Sequence, residues 1–415
     1  MSEIRPLTLE EIDGFTAIIV NAYPGMDLGT PEAQEQFKKR TALYLQEDTY
    51  RHFVGLFRQG RMAGVMIMYD FVMNMFGTRL PAGGVGMVAV DLPYKKEHVA
   101  KEMIRYYLRY YRENDTPLAL LYPFRPDFYK KMGFGYGTKV NQYRLRPAAL
   151  PKGPSKAHVR YLTADDEQAL ASCYARFVAQ HHGMIERPAN VYPRMLARLQ
   201  NRIVGYEVDG HLEGYLIFSF EKGESFIVND LHVNELIYES HATLSELLTF
   251  LHTQDDQIRH VVFETQDESF HFLPLDPRNK PGTLIPAVNH ETNLQGLGLM
   301  YRVLDVTGIL GTLADRDWNG QSLRLKLTIT DSFLPENEGD YLLCFEDGRL
   351  HLEDDGPHDA GVELDVAEFS SLLMGTVNFT SLYRYGLTRI SNEGYVKIVE
   401  RALAVENKPI CMTQF

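Results

Sequence analysis

An internal repeat limits the folds open to this chain more than any other feature of its sequence. Residues 4–23 resemble residues 159–177, and Arg5 of the first segment meets Arg160 of the second at an offset of 160 − 5 = 155. Each segment is predicted to form a short strand, a threonine helix cap with acidic residues in the first turn, and an amphipathic helix. The same local structure is therefore expected twice.

A second pair of segments repeats in the same way. Residues 53–67 and 203–217 match at an offset of 203 − 53 = 150, and their apolar runs are joined by QG in one copy and DG in the other. These dipeptides predict β-hairpins. Further along, DLPY at 91–94 is matched with ELIY at 235–238, each followed by a helical pattern, at an offset of 235 − 91 = 144. A repeat this long indicates a duplicated domain rather than a solenoid.

The repeat predicts two tandem copies of an α/β domain, followed by an α+β domain. A chain of 415 residues is too long for one ordinary hydrophobic core. The proline-rich segment 147–157 is predicted to separate the copies, and after about residue 290 the pattern changes to alternating strands with turns at ENEGD and EDG. We therefore expect domains at 1–150, 151–290 and 291–415.

Charge and cysteine content restrict the partners and the compartment. The formal net charge is −13 without a long basic run, which argues against nucleic acid or an anionic membrane and favours cationic small molecules. Three separated cysteines form no CxxC pair, the amino-terminal segment is acidic, and no stretch of 18 apolar residues occurs. We therefore expect a cytoplasmic protein. His181 and His182 lack a cluster at metal-ligand spacing, so no metal site is predicted.

A candidate phosphate-binding segment, which we call the cradle, follows a strand of the first copy. In MVAVDLPYKKEHVAKEM, residues 87–103, an apolar strand containing Val88 and Val90 leads through Lys95 and Lys96 into a helix. The free N–H groups at a helix start can bind an anion, and two lysines add positive charge there. The same pattern is also typical of ordinary surface structure.

The next predicted strand carries the most specific motif. In LALLYPFRPDFYKKMGFGYG, residues 118–137, Tyr129 stands three residues before Met132. Both belong to the segment FYKKMGF, residues 128–134, which we abbreviate FY..GF. The whole order of helix, hairpin, strand, cradle, helix, strand and FY..GF resembles the GNAT (GCN5-related) N-acetyltransferases. The duplication, the third domain and the final phenylalanine together resemble the Eis (enhanced intracellular survival) family, whose third domain is similar to sterol carrier proteins.

The resemblance implies a role for particular residues. It implies that Tyr129 is the general acid that protonates the departing thiolate, and that the α-carboxylate of Phe415 is the general base. The positions implied for acetyl-CoA are Val88, Ala89 and Val90 on the pantetheine-binding strand and Lys95, Lys96, Glu97, His98, Val99 and Ala100 in the cradle. Asp27 and Gln414 are the candidates for binding the substrate, although Asp27 fits a solvated helix start equally well.

His98 departs from the pattern RxxGxA that the resemblance implies for the cradle. Histidine still has a backbone N–H, so phosphate binding does not require glycine there. Its side chain can crowd the pyrophosphate, however, and it costs free energy if the position needs a positive φ. Lysines in place of arginines keep the charge but lose bidentate geometry. The cradle is therefore expected to bind acetyl-CoA more weakly than an intact motif.

Two functions remain open from the sequence. The favoured one is an acetyl-CoA-dependent N-acetyltransferase of primary amines resembling aminoglycosides, polyamines or lysine. The resemblance to the family also implies that the protein forms a homo-oligomer, a hexamer. The alternative is a non-catalytic protein that binds acyl-CoA, lipid or a partner through a degenerate cradle. The second copy has no FY..GF and no cradle lysines, so it is expected to keep the fold without the cofactor.

Overall fold

The computed structural model describes residues 2–198, 200–225, 228–280 and 282–415, which form two compact units. The first unit holds the chain up to Gly137, together with Leu299–Lys408 and Gln414–Phe415. The second holds Thr138–Gly298 and Pro409–Thr413. Within the described ranges, no helix has both the length and the apolar character needed to cross a membrane.

The strands and helices alternate along the chain. The strands are β1 Ser2–Pro6, β2 Arg51–Arg58, β3 Arg61–Met75, β4 Thr78–Val90, β5 Leu118–Leu121, β6 Gly135–Tyr136, β7 Lys139–Leu145, β8 Val159–Tyr161, β9 Arg202–Val208, β10 His211–Ser225, β11 Val228–Tyr238, β12 Ile258–Thr265, β13 Leu284–Ile285, β14 Asn289–His290, β15 Leu294–Leu297, β16 Met300–Val303, β17 Leu323–Thr330, β18 Gly339–Glu346, β19 Arg349–Glu353, β20 Ala360–Asp365 and β21 Thr388–Ile390. The helices are α1 Ile12–Ala22, α2 Pro31–Glu47, α3 Val99–Glu113, α4 Pro126–Lys130, α5 Glu167–Gln180, α6 Val191–Leu196, α7 His241–His252, α8 Val306–Thr312, α9 Val366–Leu373, α10 Phe379–Arg384 and α11 Val396–Ala402.

The predicted local structures of the repeat are confirmed. Thr8 and Thr163 each begin a short helical turn with a capping box. The β2–β3 hairpin turns at Gln59 and Gly60, and the β9–β10 hairpin turns at Asp209 and Gly210. Both residues of each pair have a positive φ, between 50° and 76°. Such turns match the right-handed twist of antiparallel strands.

Each unit contains a seven-stranded sheet, and each sheet includes a strand from beyond the predicted domain boundary. The first sheet has the order β1-β2-β3-β4-β5-β16-β6, and the second has the order β15-β7-β12-β11-β10-β9-β8. The boundaries at 150 and 290 would place β7 in the first domain and both β15 and β16 in the third. The three-part division stays a prediction, but these three strands pair outside the parts it assigned to them.

The predicted match of DLPY with ELIY is wrong in register. Val90 at the end of β4 pairs with Gly64, and Tyr238 at the end of β11 pairs with Gly214. The strands therefore correspond at 238 − 90 = 148, not at 144. Asp91–Tyr94 follow their strand, whereas Glu235–Tyr238 lie within theirs. Short apolar matches do not determine register, because the ladder of backbone hydrogen bonds decides it.

The third sheet also lies in the first unit and has the order β19-β18-β17-β20-β21. The predicted strands around the EDG turn are β18 and β19, and Asp347 and Gly348 between them both have a positive φ. Strand β17 pairs antiparallel with β18 and parallel with β20, so this sheet is mixed. Together with its helices it forms the predicted α+β domain.

Candidate active site

The candidate site begins where two parallel strands of the first sheet stop pairing. Ala82–Val85 of β4 pair with Leu118–Leu121, and β4 continues to Val90 beyond the end of β5. A β-bulge at Met87, whose φ is 48°, interrupts the pairing of β4 with β3 at this point. Because β5 ends at Leu121, the edge of β4 that faced it is open beyond Val85, and the predicted pantetheine-binding residues, Val88 to Val90, lie on this open edge.

Tyr129 lies in the short helix α4 and is buried, with 3% of its surface exposed. Its ring packs edge-on against Phe128 at 5.2 Å and Phe134 at 6.0 Å between centroids. Burial, and to a lesser degree nearby Tyr23, raises the pKa of the Tyr129 hydroxyl well above its usual value. The hydroxyl has no hydrogen-bond partner among the described residues, and it stays protonated at neutral pH.

Tyr23 is a site residue that the sequence did not reveal. Its hydroxyl donates a hydrogen bond of 2.9 Å to the carbonyl of Val88. Burial raises the pKa of Tyr23 to about 12, so this hydroxyl is also a donor at neutral pH. Because Tyr23 affects the pKa of Tyr129 and bonds to Val88, it connects the predicted acid with the open edge of β4.

Phe415, the last residue of the sequence, packs in the same part of the first unit. Its ring lies 4.9 Å from Phe71 and 5.3 Å from Tyr122, between centroids. Its carbonyl carbon is 3.0 Å from the place where a Cβ on Gly86 would lie, and its ring is 3.1 Å from that place on Gly84. The two glycines thus allow Phe415 to lie directly against β4 beside the bulge. Glycines in a strand often mark such an approach, so GGVG at 83–86 was the available signal.

The predicted cradle lies between β4 and α3. His98 immediately precedes α3 with a left-handed backbone, φ 65° and ψ 9°, and Lys96 has a φ of 68°. The positive φ that was considered at His98 is therefore present. The N–H of Glu102 donates to the His98 carbonyl at 3.0 Å, while the N–H groups at the start of α3 have no acceptor within the helix.

The cradle side chains differ in their surroundings. Lys95, Lys96 and His98 are exposed, Val99 is buried beneath the helix, and Ala100 is half-buried. The Glu97 carboxylate accepts a hydrogen bond from Arg58 at 2.8 Å, and the same guanidinium donates to the Glu97 carbonyl at 2.9 Å. The lysines thus project freely, whereas the one acidic residue of the cradle is neutralised by Arg58.

The remaining substrate-binding candidates are exposed. Asp27 lies in the connection between α1 and α2, and Gln414 precedes Phe415. None of the described hydrogen bonds or ion pairs joins Asp27 to Tyr129. The described residues also contain no group of three or more His, Cys, Asp or Glu side chains able to hold a metal ion.

The equivalent region of the second unit has different chemistry. The Oγ of Ser240 accepts a hydrogen bond of 3.1 Å from the N–H of Thr243, so the start of α7 is already capped. Glu235 on β11 forms a buried ion pair with Arg187 and accepts a hydrogen bond from Tyr215. A buried carboxylate repels a pyrophosphate and the cap already occupies one of the free N–H groups of α7, so the absence of a cofactor from this copy stays a prediction.

Comparisons with known families identify the domains. A family model described as an acetyltransferase (GNAT) domain matches residues 3–137, and a second model of that description matches residues 183–302. A model described as a sterol carrier protein domain matches residues 310–412. The chain therefore contains two GNAT acetyltransferase domains, and domains of this type take the acetyl group from acetyl-CoA. Its two GNAT domains and sterol carrier protein domain form the Eis-type arrangement predicted from the sequence.

Individual relatives agree with this classification. An uncharacterised N-acetyltransferase of Streptomyces coelicolor is 28% identical over 196 residues, which are 45% of this chain and 45% of that protein. The matched part thus spans less than half of that relative. A GCN5-related N-acetyltransferase from Anabaena variabilis has the same fold with a TM-score of 0.82 and 18% identity, covering 100% of both chains. Eis1 from Mycobacterium abscessus has a TM-score of 0.75 and 20% identity over the same share.

Proposed function

We propose that this chain transfers the acetyl group of acetyl-CoA to primary amines by direct attack of the amine on the thioester. The observation that carries the proposal is the convergence of three features at the open edge of β4. They are the strand residues Val88 to Val90, the buried Tyr129 beside Tyr23, and the carboxyl end of Phe415 against Gly86. The N–H donors of α3 and the exposed Lys95 and Lys96 suit the cofactor's phosphates.

Tyr129 is the proposed general acid. When bound, acetyl-CoA supplies an electrophilic carbonyl and a thiolate leaving group. Burial disfavours the phenolate, so the Tyr129 proton moves only as negative charge develops on the departing sulfur. The packed rings around Tyr129 also exclude water from this step. An acid held in this way assists the breakdown of the thioester without a covalent enzyme intermediate.

The α-carboxylate of Phe415 is the proposed base. A free α-carboxylate has a pKa near 3.5, too low to remove a proton from an ammonium group efficiently by itself. It can attract a cationic amine, however, and accept its proton through a water molecule. Asp27 and Gln414 are the proposed further contacts for the amine. The net charge of −13 supports a cationic substrate of the aminoglycoside, polyamine or lysine type.

The first experiment measures binding and turnover in one sample. Full-length protein without a carboxy-terminal tag is titrated with acetyl-CoA, and thiol release is then followed after adding spermine, an aminoglycoside or lysine. We expect about one equivalent of acetyl-CoA per chain and release that depends on the amine. Binding without release would support the non-catalytic alternative, and no binding at millimolar acetyl-CoA would refute a working cradle.

Two variants test the assigned roles. Tyr129→Phe is expected to lower kcat by about 10²- to 10⁴-fold while acetyl-CoA still binds. Tyr136→Phe, a partly exposed tyrosine in the following strand, is the matched control and should retain activity. Adding one glycine after Phe415 keeps its ring but displaces the carboxylate, and should lower kcat. Unchanged kcat in both Tyr129→Phe and the extended chain would contradict the mechanism.

We further propose that the protein is a cytoplasmic homo-oligomer. The β13–β14 hairpin of the second unit carries Leu284, Ile285 and Val288, which are 51%, 53% and 83% exposed, and a group of exposed apolar side chains favours contact with another chain. The three cysteines are free, which accords with a reducing compartment. Light scattering after gel filtration tests the oligomer, and a mass of six chains is expected. A monomeric mass at micromolar concentration would refute it.

A further inference from the structure

The backbone that follows Tyr129 is held by a residue from a distant part of the chain. The N–H groups of Met132 and Phe134 both donate to the Tyr129 carbonyl, at 2.9 and 3.2 Å. The carbonyl of Met132 in turn accepts a hydrogen bond from the Arg302 guanidinium. Arg302 lies on β16, the strand inserted between β5 and β6 of the first sheet. One buried guanidinium therefore fixes the turn that carries Tyr129.

Arg302 is itself held by a residue of the sterol carrier protein domain, residues 310–412. Its other terminal nitrogen makes two hydrogen bonds to the carboxylate of Asp331, at 2.8 and 2.6 Å, and both side chains are almost fully buried. Asp331 follows β17 and also accepts from the backbone N–H of Leu334 at 2.9 Å. One guanidinium nitrogen therefore binds both carboxylate oxygens and the other binds the Met132 carbonyl, so the planar guanidinium is held at two points. Asp331, Arg302 and Met132 thus form a continuous chain of hydrogen bonds, which we call the Arg302 brace.

The sequence of the turn leaves room for the brace. Gly133 has a φ of 81°, and a Cβ on it would lie 1.4 Å from the Arg302 guanidinium. A Cβ on Gly135 would lie 2.2 Å from the carbonyl of Ala367 in α9. The glycines of the MGFG segment therefore serve close packing against Arg302 and the third domain. The side chain of Lys130 adds an ion pair with Glu368 of α9.

The hydroxyl of Tyr129 depends on this support for its position. It has no hydrogen bond to any described residue, so its direction is determined by its backbone and by the packing of Phe128 and Phe134. Catalysis is sensitive to such placement, since an error of about 1 Å can cost about 100-fold in rate.

We propose that Arg302, held by Asp331, is a positioning residue for Tyr129, and that the sterol carrier protein domain thereby takes part in acetyl transfer. The proposal rests on the proposed function, in which Tyr129 protonates the departing thiolate. Arg302 touches neither substrate in this proposal and acts through the turn at Met132. The third domain has this role whether or not it binds a lipid.

The test is a double-mutant cycle between Arg302 and Tyr129 in the full-length protein. Arg302→Lys keeps the positive charge, but its single nitrogen cannot replace the two guanidinium nitrogens that bind Met132 and Asp331. Asp331→Asn keeps the size of the side chain and weakens its hydrogen bonds with Arg302. We expect Arg302→Lys to lower kcat about 10- to 100-fold with less than a threefold change in KM for acetyl-CoA. In the Tyr129→Phe background the same substitution should lower kcat less than twofold, because the acid that it positions is absent.

A core substitution in the third domain serves as the control for lost stability. Leu327 is buried in β17, so Leu327→Ala lowers the melting temperature without touching the Arg302 brace. It should leave kcat within about twofold at a temperature well below its transition. Asp331→Asn is expected to lower kcat in the same direction as Arg302→Lys and remains informative if the latter does not fold.

The outcomes separate this inference from the proposed function. If Arg302→Lys lowers kcat equally in the presence and absence of the Tyr129 hydroxyl, Arg302 does not act through Tyr129, although the acetyltransferase proposal stands. If Arg302→Lys and Asp331→Asn both leave kcat unchanged, the positioning role is refuted. If the unmodified protein releases no thiol when an amine is added, the proposed function itself is refuted.

Discussion

Replacing His98 with glycine tests how the cradle is built, because the backbone of His98 is left-handed. An L-residue in this conformation costs about 1–2 kcal/mol, which glycine avoids. Glycine adds about 0.5–1 kcal/mol of unfolded-chain entropy that folding must overcome. The difference predicts that His98→Gly raises the free energy of unfolding of the first unit by about 0.5–1 kcal/mol.

His241→Gly is the matched control for this substitution. His241 is also an exposed histidine at the beginning of a helix, α7, but it is not among the residues with a positive φ. Glycine there relieves no strain and is expected to destabilise the second unit by about 0.5–1 kcal/mol. The same chemical change should therefore have opposite signs at the two sites.

Urea unfolding measures both effects. The single tryptophan, Trp318, is fully buried in the first unit, so its fluorescence reports the unit that contains His98, while circular dichroism follows the whole chain. Acetyl-CoA titration of the same variant should give a lower Kd than the unmodified protein, because the imidazole no longer crowds the phosphates. A His98→Gly variant that is less stable, as His241→Gly should be, would refute the reasoning from φ.

Three further substitutions have definite expected outcomes. In Gly64→Ala the new Cβ would lie 2.7 Å from Val99, so overpacking should lower the free energy of unfolding by about 1–3 kcal/mol in urea titrations. Gly86→Ala would press on the carbonyl of Phe415 and should lower kcat with little change in melting temperature, a result that a large loss of stability would contradict. The hydrogen bond from Arg5 lowers the pKa of Glu11 to about 2, below the usual 4.5. That contribution is present above pH 4.5 and is lost as the pH falls towards 2, so Glu11→Gln should reduce the acid dependence of stability measured between those values.

Sequence patterns predicted correctly the structures that are formed by residues adjacent in the sequence, such as turns and helix caps. The QG and DG turns predicted both hairpins, because the glycine of each pair adopts a positive φ at low cost. The threonines before acidic residues predicted the caps at Thr8 and Thr163 for a similarly local reason. The FY..GF segment led to Tyr129, and its buried, protonated state is what a proton donor requires.

Sequence patterns could not predict which strands pair, or that Arg302 binds the turn after Tyr129. Strands β7 and β16 contain seven and four residues, and their partners lie more than a hundred residues away in the sequence. Nothing in a short apolar run identifies a partner at that distance. Arg302 was missed for a related reason, since an arginine is expected at the surface and its burial depends on Asp331, which follows β17 of a different sheet.

The sequence by itself determined the duplication, the succession of two α/β domains and an α+β domain, and the identity of Tyr129 as the candidate acid. The duplication and the succession of domains follow from repeated residues, turn dipeptides and apolar periodicity, which can be read along the chain without the fold. The role of Tyr129 follows from the resemblance of its FY..GF segment to the GNAT N-acetyltransferases. Only the tertiary structure decided that the two sheets include β7 and β16, that Phe415 lies against Gly86, and that Arg302 holds the turn after Tyr129. Those features depend on backbone hydrogen bonds and buried contacts between distant segments, which form only when the chain is folded.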